Sequence, residues 1–293
     1  MPEKVAIFAF ATENLEIMPK TFLTDNERTQ ILTLVRKFVK ISPQTVSHFG
    51  FRRIRNYITE ALKNQNVQRD VFGFSPIVTA LETAIILGDE MRLDGTTMIG
   101  CLLAPFFEAD ETANEDIEKE FGNDISSIVA GLKRVKGLYE KTPAVETENF
   151  RNLLVSFAED MRVVLIMTAD RLAAMRRLRD VEDKEARNRV AREAEFLYAP
   201  IAHKLGLYKI KSELEDLAVK YLEHDAYYLI REKLNATKSA RDAYIADFIR
   251  PISEKLTQAG LKFHIKGRSK SIHYIWQKMK RHSCGFEGAH DLF

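Results

Sequence analysis

The sequence predicts a mainly α-helical protein, a helical bundle followed by the start of an α/β unit. Three observations predict it. Apolar residues recur at helical spacing through nearly the whole chain, most densely in Phe150–Arg179 (Phe150, Leu153, Leu154, Phe157, Met161, Val164, Leu165, Leu172, Met175). Cap signals punctuate that pattern, such as Thr24-Asp25-Asn26-Glu27 and the stop at Gly206. The period changes only once, at Leu261-Lys262-Phe263-His264-Ile265-Lys266-Gly267, where apolar and polar residues alternate as in a strand.

In chain order, residues 1–20 have weak periodicity and are expected to be partly disordered. Helices are expected behind Thr24 (Ile31, Leu34, Val35 and Phe38 inward), over Phe51–Asn64, Ile77–Met91 and Met98–Leu103, the last capped by Asp94 and ended by Pro105. Glu111–Phe121 and Asp124–Leu138 follow, with Lys133–Pro143 read as a mobile basic loop. The dense helix comes next. It is apolar all round from Val163 to Ala169, so it should be enclosed by others. Into that run come Asp170 and Arg171. A carboxylate there is costly to bury unpaired, so Asp170 either meets a cation or holds a metal. Lys184–Leu205 continues helical with a kink at Pro200, then come Lys209–Leu222, Ala226–Leu234, Ala240–Gln258 and, after the strand, Ile272–Lys280. A lone strand needs a sheet, so a second domain begins here.

Composition bounds function only loosely. The 293 residues suit about two domains, and 45% hydrophobic with 29% charged residues is ordinary for a globular protein. A net charge of +2 gives no general affinity for nucleic acid or membrane. Cys101 and Cys284 lack disulfide or metal spacing, which with the absence of a signal peptide and of a long apolar span points to the reducing cytoplasm.

Several stretches together then resemble one family. LLAPFFEAD, FGNDISSIVAGLKRV, DMRVVLIMTADRLAAMRRL, YAPIAHKLGLYKIKSELEDLAVKYL, GRSKSIHYIWQKM and FEGAHDLF occur in the order and near the spacing of the RelA/SpoT family, from about residue 50 onward. These enzymes make and degrade the guanosine tetra- and pentaphosphate alarmones of the stringent response. The resemblance implies an N-terminal extension over 1–23 and an HD hydrolase domain over 24–200. Residues 201–293 would be connecting helices and part of a nucleotidyltransferase-like synthetase domain.

HD hydrolases of the family hold a manganese ion with a His, a His-Asp pair and a later Asp, and the metal turns a bound water into a nucleophile. Carried over residue by residue, the first His falls at Thr79 or Ala80, and the His-Asp pair falls on Ala104 and Pro105. The acidic pair that follows keeps Glu108 but has Ala109 for its Asp, and the family's His-Asn after Asp170-Arg171 is Ala173-Ala174. Of the four metal ligands Asp170 alone survives. No histidine at all lies between Phe49 and Ala202, so a His-built centre there is excluded, no manganese is expected, and Asp170 reverts to an ion pair. The pattern resembles the family's synthetase-only branch. A domain without the chemistry would then act as a scaffold, or as a regulator that binds guanine nucleotide uncleaved.

At the other end Arg268, Lys270 and Lys278 match the cations that hold ATP phosphates in the family, with Tyr274 where a Ser is usual. Asp291 matches the Asp that binds Mg²⁺ for pyrophosphoryl transfer to the ribose 3′-OH of GTP or GDP. The guanine-stacking aromatic and second acidic residue of the family would lie beyond Phe293, so residues 1–293 are expected to lack synthetase activity. Ribosome association in the family depends on further C-terminal domains. Of the other polar residues, His203 reads as structural, bonded to a backbone carbonyl. His264, His273, His282 and His290 read as surface, Glu213, Glu215 and Asp216 as a solvated or ion-paired face, and Cys101 and Trp276 as packing residues.

Overall fold

The computed structural model describes residues 23–63, 69, 70, 72–106, 113–141, 160–267 and 269–289. The elements in order are α1 (Asp25–Ile41), α2 (Pro43–Phe49), α3 (Phe51–Lys63), α4 (Pro76–Ile85) running into a π turn (Ile86–Glu90), α5 (Gly95–Leu103) ending in a 3₁₀ turn (Ala104–Phe106), α6 (Ala113–Phe121) and α7 (Asn123–Lys141). Then come α8 (Met161–Arg177), α9 (Lys184–Glu193), a second π turn (Ala194–Tyr198), α10 (Ala199–Lys204), α11 (Tyr208–Leu222), α12 (His224–Ala236), α13 (Lys238–Gln258) and α14 (Ile272–His282). The expected partly disordered residues 1–20 and the first part of the apolar stripe, Phe150 to Phe157, lie outside the described residues.

Local chemistry sets the helix ends. At the start of α1 the Thr24 hydroxyl accepts the Glu27 N–H at 3.2 Å, and the Glu27 carboxylate accepts the Thr24 N–H at 2.8 Å. Arg69 grips the same carboxylate at 2.6 and 2.9 Å, and those bonds hold its pKa down at about 2. Thr24→Ala removes half of that reciprocal cap and is expected to lower the unfolding free energy by about 1 kcal/mol, read as a shift of the urea midpoint at constant slope. Pro200 has no N–H to offer the Phe196 carbonyl, and the π turn ahead of it accommodates the loss. Ala199 bonds back five residues to Ala194, and α10 then runs on to Gly206, which takes φ +73°. Gly88, in the first π turn, lets neighbours pack closely: a Cβ there would stand 2.7 Å from the end of the Met98 side chain and 3.0 Å from Ile41, so Met98 would have to shift.

Helix α8 is the centre of the bundle, packed on α4, α7, α11 and both π turns. Val163, Ala169, Leu172, Met175 and Leu178 are wholly shielded from solvent. Helices α1 and α5 cover α4, α6 and α5 cover α7, and α10 and α9 lie on α11. One continuous core runs from Leu23 to Tyr221 and therefore takes in the connecting helices α10 and α11. A second, small core holds Ile230, Ile275, Met279 and Ala289, with Trp276 against it. Helix α13 buries none of its residues and leaves Tyr244, Phe248 and Ile252 exposed.

Two sequence expectations need correction. Lys133–Pro143 is not a loop up to Lys141: Val135 is buried and Leu138 packs on the core, which continues the stripe of Ile128, Val129 and Leu132 by one and a half turns. Leu261–Gly267 carries no regular structure, and no ladder partner for it exists among the described residues.

Candidate functional site

Between α4 and α8 lies a cleft of about 300 Å³. Thr79, Ala80 and Thr83 line it from α4, and Ile166, Met167, Asp170 and Arg171 from α8. Cys101, Ala104 and Pro105 close it at the end of α5, Leu132 and Lys136 come from α7, and Tyr198 from the second π turn. Every position on which the expected metal ligands fall is therefore in one place: Thr79 or Ala80, Ala104, Pro105 and Asp170. Of the remaining positions Ala173 is buried elsewhere on α8 and Ala174 is off the cleft, while Glu108 and Ala109 lie outside the described residues.

Asp170 has no ion-pair partner among the described residues, contrary to expectation. No cationic nitrogen among the described residues lies within pairing distance of it. Arg171 turns to Glu193 (3.0 Å) and stacks over the Tyr198 ring at 4.9 Å from its centroid. Arg177 is held by Glu82 (3.2 Å) and by the Thr79 hydroxyl (2.7 Å), over the Phe74 ring. That leaves the Thr83 hydroxyl, 3.4 Å away, whose single proton is better placed on the Thr79 carbonyl at 2.9 Å. The Asp170 side chain is exposed on the cleft side, with protein packed densely around the rest of the residue. That crowding pushes its pKa above the usual carboxylate value, against the attraction of Arg171 and Arg177. The Cys101 thiol is driven up by its own burial and by the charge of Asp170.

The sign of the Asp170 effect is testable. A carboxyl whose folded pKa is raised binds protons more readily folded than unfolded, so its ionisation takes away stability as pH rises through that range. Because solvent reaches Asp170 and screens its charge, Asp170→Asn is expected to raise the melting temperature only slightly at pH 7.5 and to leave it almost unchanged at pH 4, as followed by circular dichroism.

The donor set does not fit the manganese of an HD hydrolase. Among the described residues no three His, Cys, Asp or Glu side chains converge on one point. Among its described residues the cleft offers one carboxylate, three hydroxyls (Thr79, Thr83 and Tyr198) and a buried thiol, where imidazole and carboxylate donors are needed.

At the second site, Lys270 lies just ahead of α14, which begins at Ile272, while Lys278 lies on the helix. Tyr274 and Lys278 do share a face of α14, and the Lys270 amine stands 5.3 Å from the centre of the Tyr274 ring. Tyrosine at the position of the family's Ser thus carries a cation instead of offering a short hydroxyl. Arg268 and Asp291 lie outside the described residues.

Two histidine expectations also change. His203 is exposed and meets the Tyr208 ring edge-on at 5.6 Å, with no carbonyl bond among the described residues. His273 is not a surface residue: its ring is 16% exposed and wedged between Glu195 (3.4 Å) and Glu215 (3.5 Å). Sequence gave no sign of that wedge, since the three residues come from three elements. Trp276 and Cys101 pack as expected.

The bundle and its cleft are those of an HD domain, and the family model for the HD domain matches residues 56–208, just over half of the chain. The chain is 34% identical over 220 residues to a GTP pyrophosphokinase of Myxococcus xanthus, covering 74% of this chain and 29% of that one. It is 33% identical over 233 residues to a guanosine-3′,5′-bis(diphosphate) 3′-pyrophosphohydrolase of Aquifex aeolicus (79% and 33% covered). It is 31% identical over 243 residues to the bifunctional (p)ppGpp synthase/hydrolase SpoT of Escherichia coli (83% and 34% covered). The chain belongs to the RelA/SpoT family and carries its HD domain. It spans about a third of the length of these relatives, whose names cover both synthesis and hydrolysis. Among the described residues no helix is long and apolar enough to cross a membrane.

Proposed function

We propose that these residues belong to a guanosine tetra- and pentaphosphate synthetase, which transfers pyrophosphate from ATP to the 3′-OH of GTP or GDP with Mg²⁺. Its HD domain persists as a scaffold or regulator without hydrolase chemistry. The observation that carries this reading is the make-up of the cleft. The HD fold is intact, yet the positions that should ligate the metal are Thr79, Ala104 and Pro105, leaving Asp170 alone. A single carboxylate does not hold a divalent cation firmly enough to lower the pKa of a water toward neutrality. Lys270 just ahead of α14 and Lys278 on it, with Arg268, supply the cations for ATP phosphates in this reading, and Asp291 the ligand for Mg²⁺. Cytoplasmic location belongs to the same proposal; ribosome association, which in the family depends on further C-terminal domains, is not proposed for these residues. The test is a pair of assays on protein extended to the length of its relatives: guanosine tetraphosphate made from ATP and GDP, and none consumed when Mn²⁺ is supplied. Consumption at an enzymatic rate overturns it.

A second reading is favoured by the cleft having stayed open, with a few polar groups on largely apolar walls. With Thr79, Thr83, Arg171 and Tyr198 on its walls, it suits a guanine nucleotide held without cleavage. Calorimetry with guanosine tetraphosphate that shows no heat removes this version.

A further inference from the structure

The wedge around His273 joins the two cores. The first turn of a helix has backbone N–H groups with no partner inside the helix, and α14 finds two of its partners differently. Ser271 accepts the N–H of Tyr274 at 3.2 Å, as an ordinary cap. The N–H of His273 goes instead to the carboxylate of Asp216, on α11, at 2.8 Å, and Ile272 donates to the same carboxylate. Asp216 is thus a capping anion supplied by another element, placed where the helix dipole favours negative charge. The His273 ring then reaches back between Glu215 of α11 and Glu195 of the second π turn, while Gln277 contacts it from α14 itself at 3.3 Å. Lys211 neutralises Glu215 at 2.8 Å.

We propose that Asp216 and His273 form a latch that ties the first turn of α14, and with it the Lys270 turn just ahead, to the HD domain. The helical domain thereby sets where the phosphate-binding cations stand. The second half of this statement rests on the synthetase reading above; the latch itself does not. The π turn that carries Glu195 also carries Tyr198 on the wall of the cleft, so one five-residue element touches both places.

The latch has a pH sign. Burial pushes the Asp216 carboxyl up to about 6, against the His273 bond. The groups facing the latch are Glu195, Glu215, Lys211 and Tyr227. The docked state takes up a proton more readily than the undocked one, so docking tightens as pH falls through about 6 and loosens above it.

The experiment is native-state amide exchange over α14, corrected for intrinsic rates, in residues 1–293. Asp216→Ala is expected to speed exchange of Ile272–His282 about tenfold, the size of a lost cap. Exchange of α8 should not change. Asp216→Asn, which keeps the acceptor oxygen, should restore most of the protection and flatten its pH dependence. Unchanged α14 exchange in Asp216→Ala overturns the latch, and so does a rise shared equally with α8, because the residue would then support the whole fold. A second arm uses the full-length protein and MgATP. A several-fold rise in KM for ATP with kcat little changed is expected for Asp216→Ala; loosened α14 with an unaltered KM overturns the positioning claim. Wild-type protein that fails to bind MgATP overturns the synthetase reading and leaves the latch standing.

Discussion

Purified protein given Mn²⁺ and guanosine 3′,5′-bis(diphosphate) is expected to release pyrophosphate no faster than buffer does. Bound to a fully ligated metal, water ionises near neutral pH; unbound, its pKa is about 15.7, and no other base in the cleft makes up the difference. Asp170, the one carboxylate among the described residues of the cleft, is pulled toward its protonated form by the protein packed around it, which weakens it both as a ligand and as a base. The rate at stake is on the order of 10⁶-fold or more. The complementary experiment restores donors where the cleft already places the positions. Thr79→His, Ala104→His and Pro105→Asp together, facing Asp170, should produce Mn²⁺ binding visible by electron paramagnetic resonance, while the wild-type protein shows the spectrum of the free ion. An ordered manganese in the wild-type cleft would end the case for a domain without hydrolase chemistry.

That cleft was partly legible in the sequence, and the reason is chemical. A missing histidine can be counted without knowing the fold, and Ala104 and Pro105 cannot ligate wherever they lie. Helices were legible because their stripes are long: α1 was found from spacing and its capping box, and the bodies of α8 and α11 from spacing alone, although the stripe read as running from Phe150 hid the start of α8 at Met161, where the extended Asp160 caps it. The loop expected at Lys133–Pro143 failed because charge was weighed above period, although Val135 and Leu138 continue the stripe of α7. The pairing of Asp170 failed for a different reason. Sequence supplies Arg171 and Arg177 as neighbours on one helix, but each is drawn away by a carboxylate on another, Glu193 and Glu82. Contacts of that kind, between residues dozens of positions apart, leave no local mark. The wedge of His273 and the fork of Arg176 are further cases.

Arg176→Met is expected to lower the unfolding free energy by about 2 kcal/mol at pH 7 and low salt. The Arg176 guanidinium bonds Glu90 at 2.7 and 3.1 Å and Glu213 at 2.6 and 2.7 Å, so one side chain of α8 stitches the first π turn to α11. Removing it leaves two carboxylates facing each other, with only Lys209, 3.5 Å from Glu90, to offset them among the described residues. The magnitude lies between two limits. A surface pair is worth about 0–1 kcal/mol and breaking a buried one costs about 3–5 kcal/mol, while Arg176 is 35% exposed and therefore partly screened. The pH dependence identifies the cause. Hydrogen bonds from Arg176 hold the Glu90 carboxyl below its usual pKa. The stability this contributes is present above the unfolded value, about 4.3, and is lost as pH falls through the lower folded one. Urea unfolding at pH 7 should therefore separate wild type from Arg176→Met clearly. The gap should narrow below pH 4 and in about 1 M salt, which screens what remains. Adding Glu90→Gln to the variant should recover part of the loss at pH 7, because it removes one of the two stranded charges. A gap that persists undiminished in acid and in salt would assign the effect to lost packing of the arginine stem instead of to the fork.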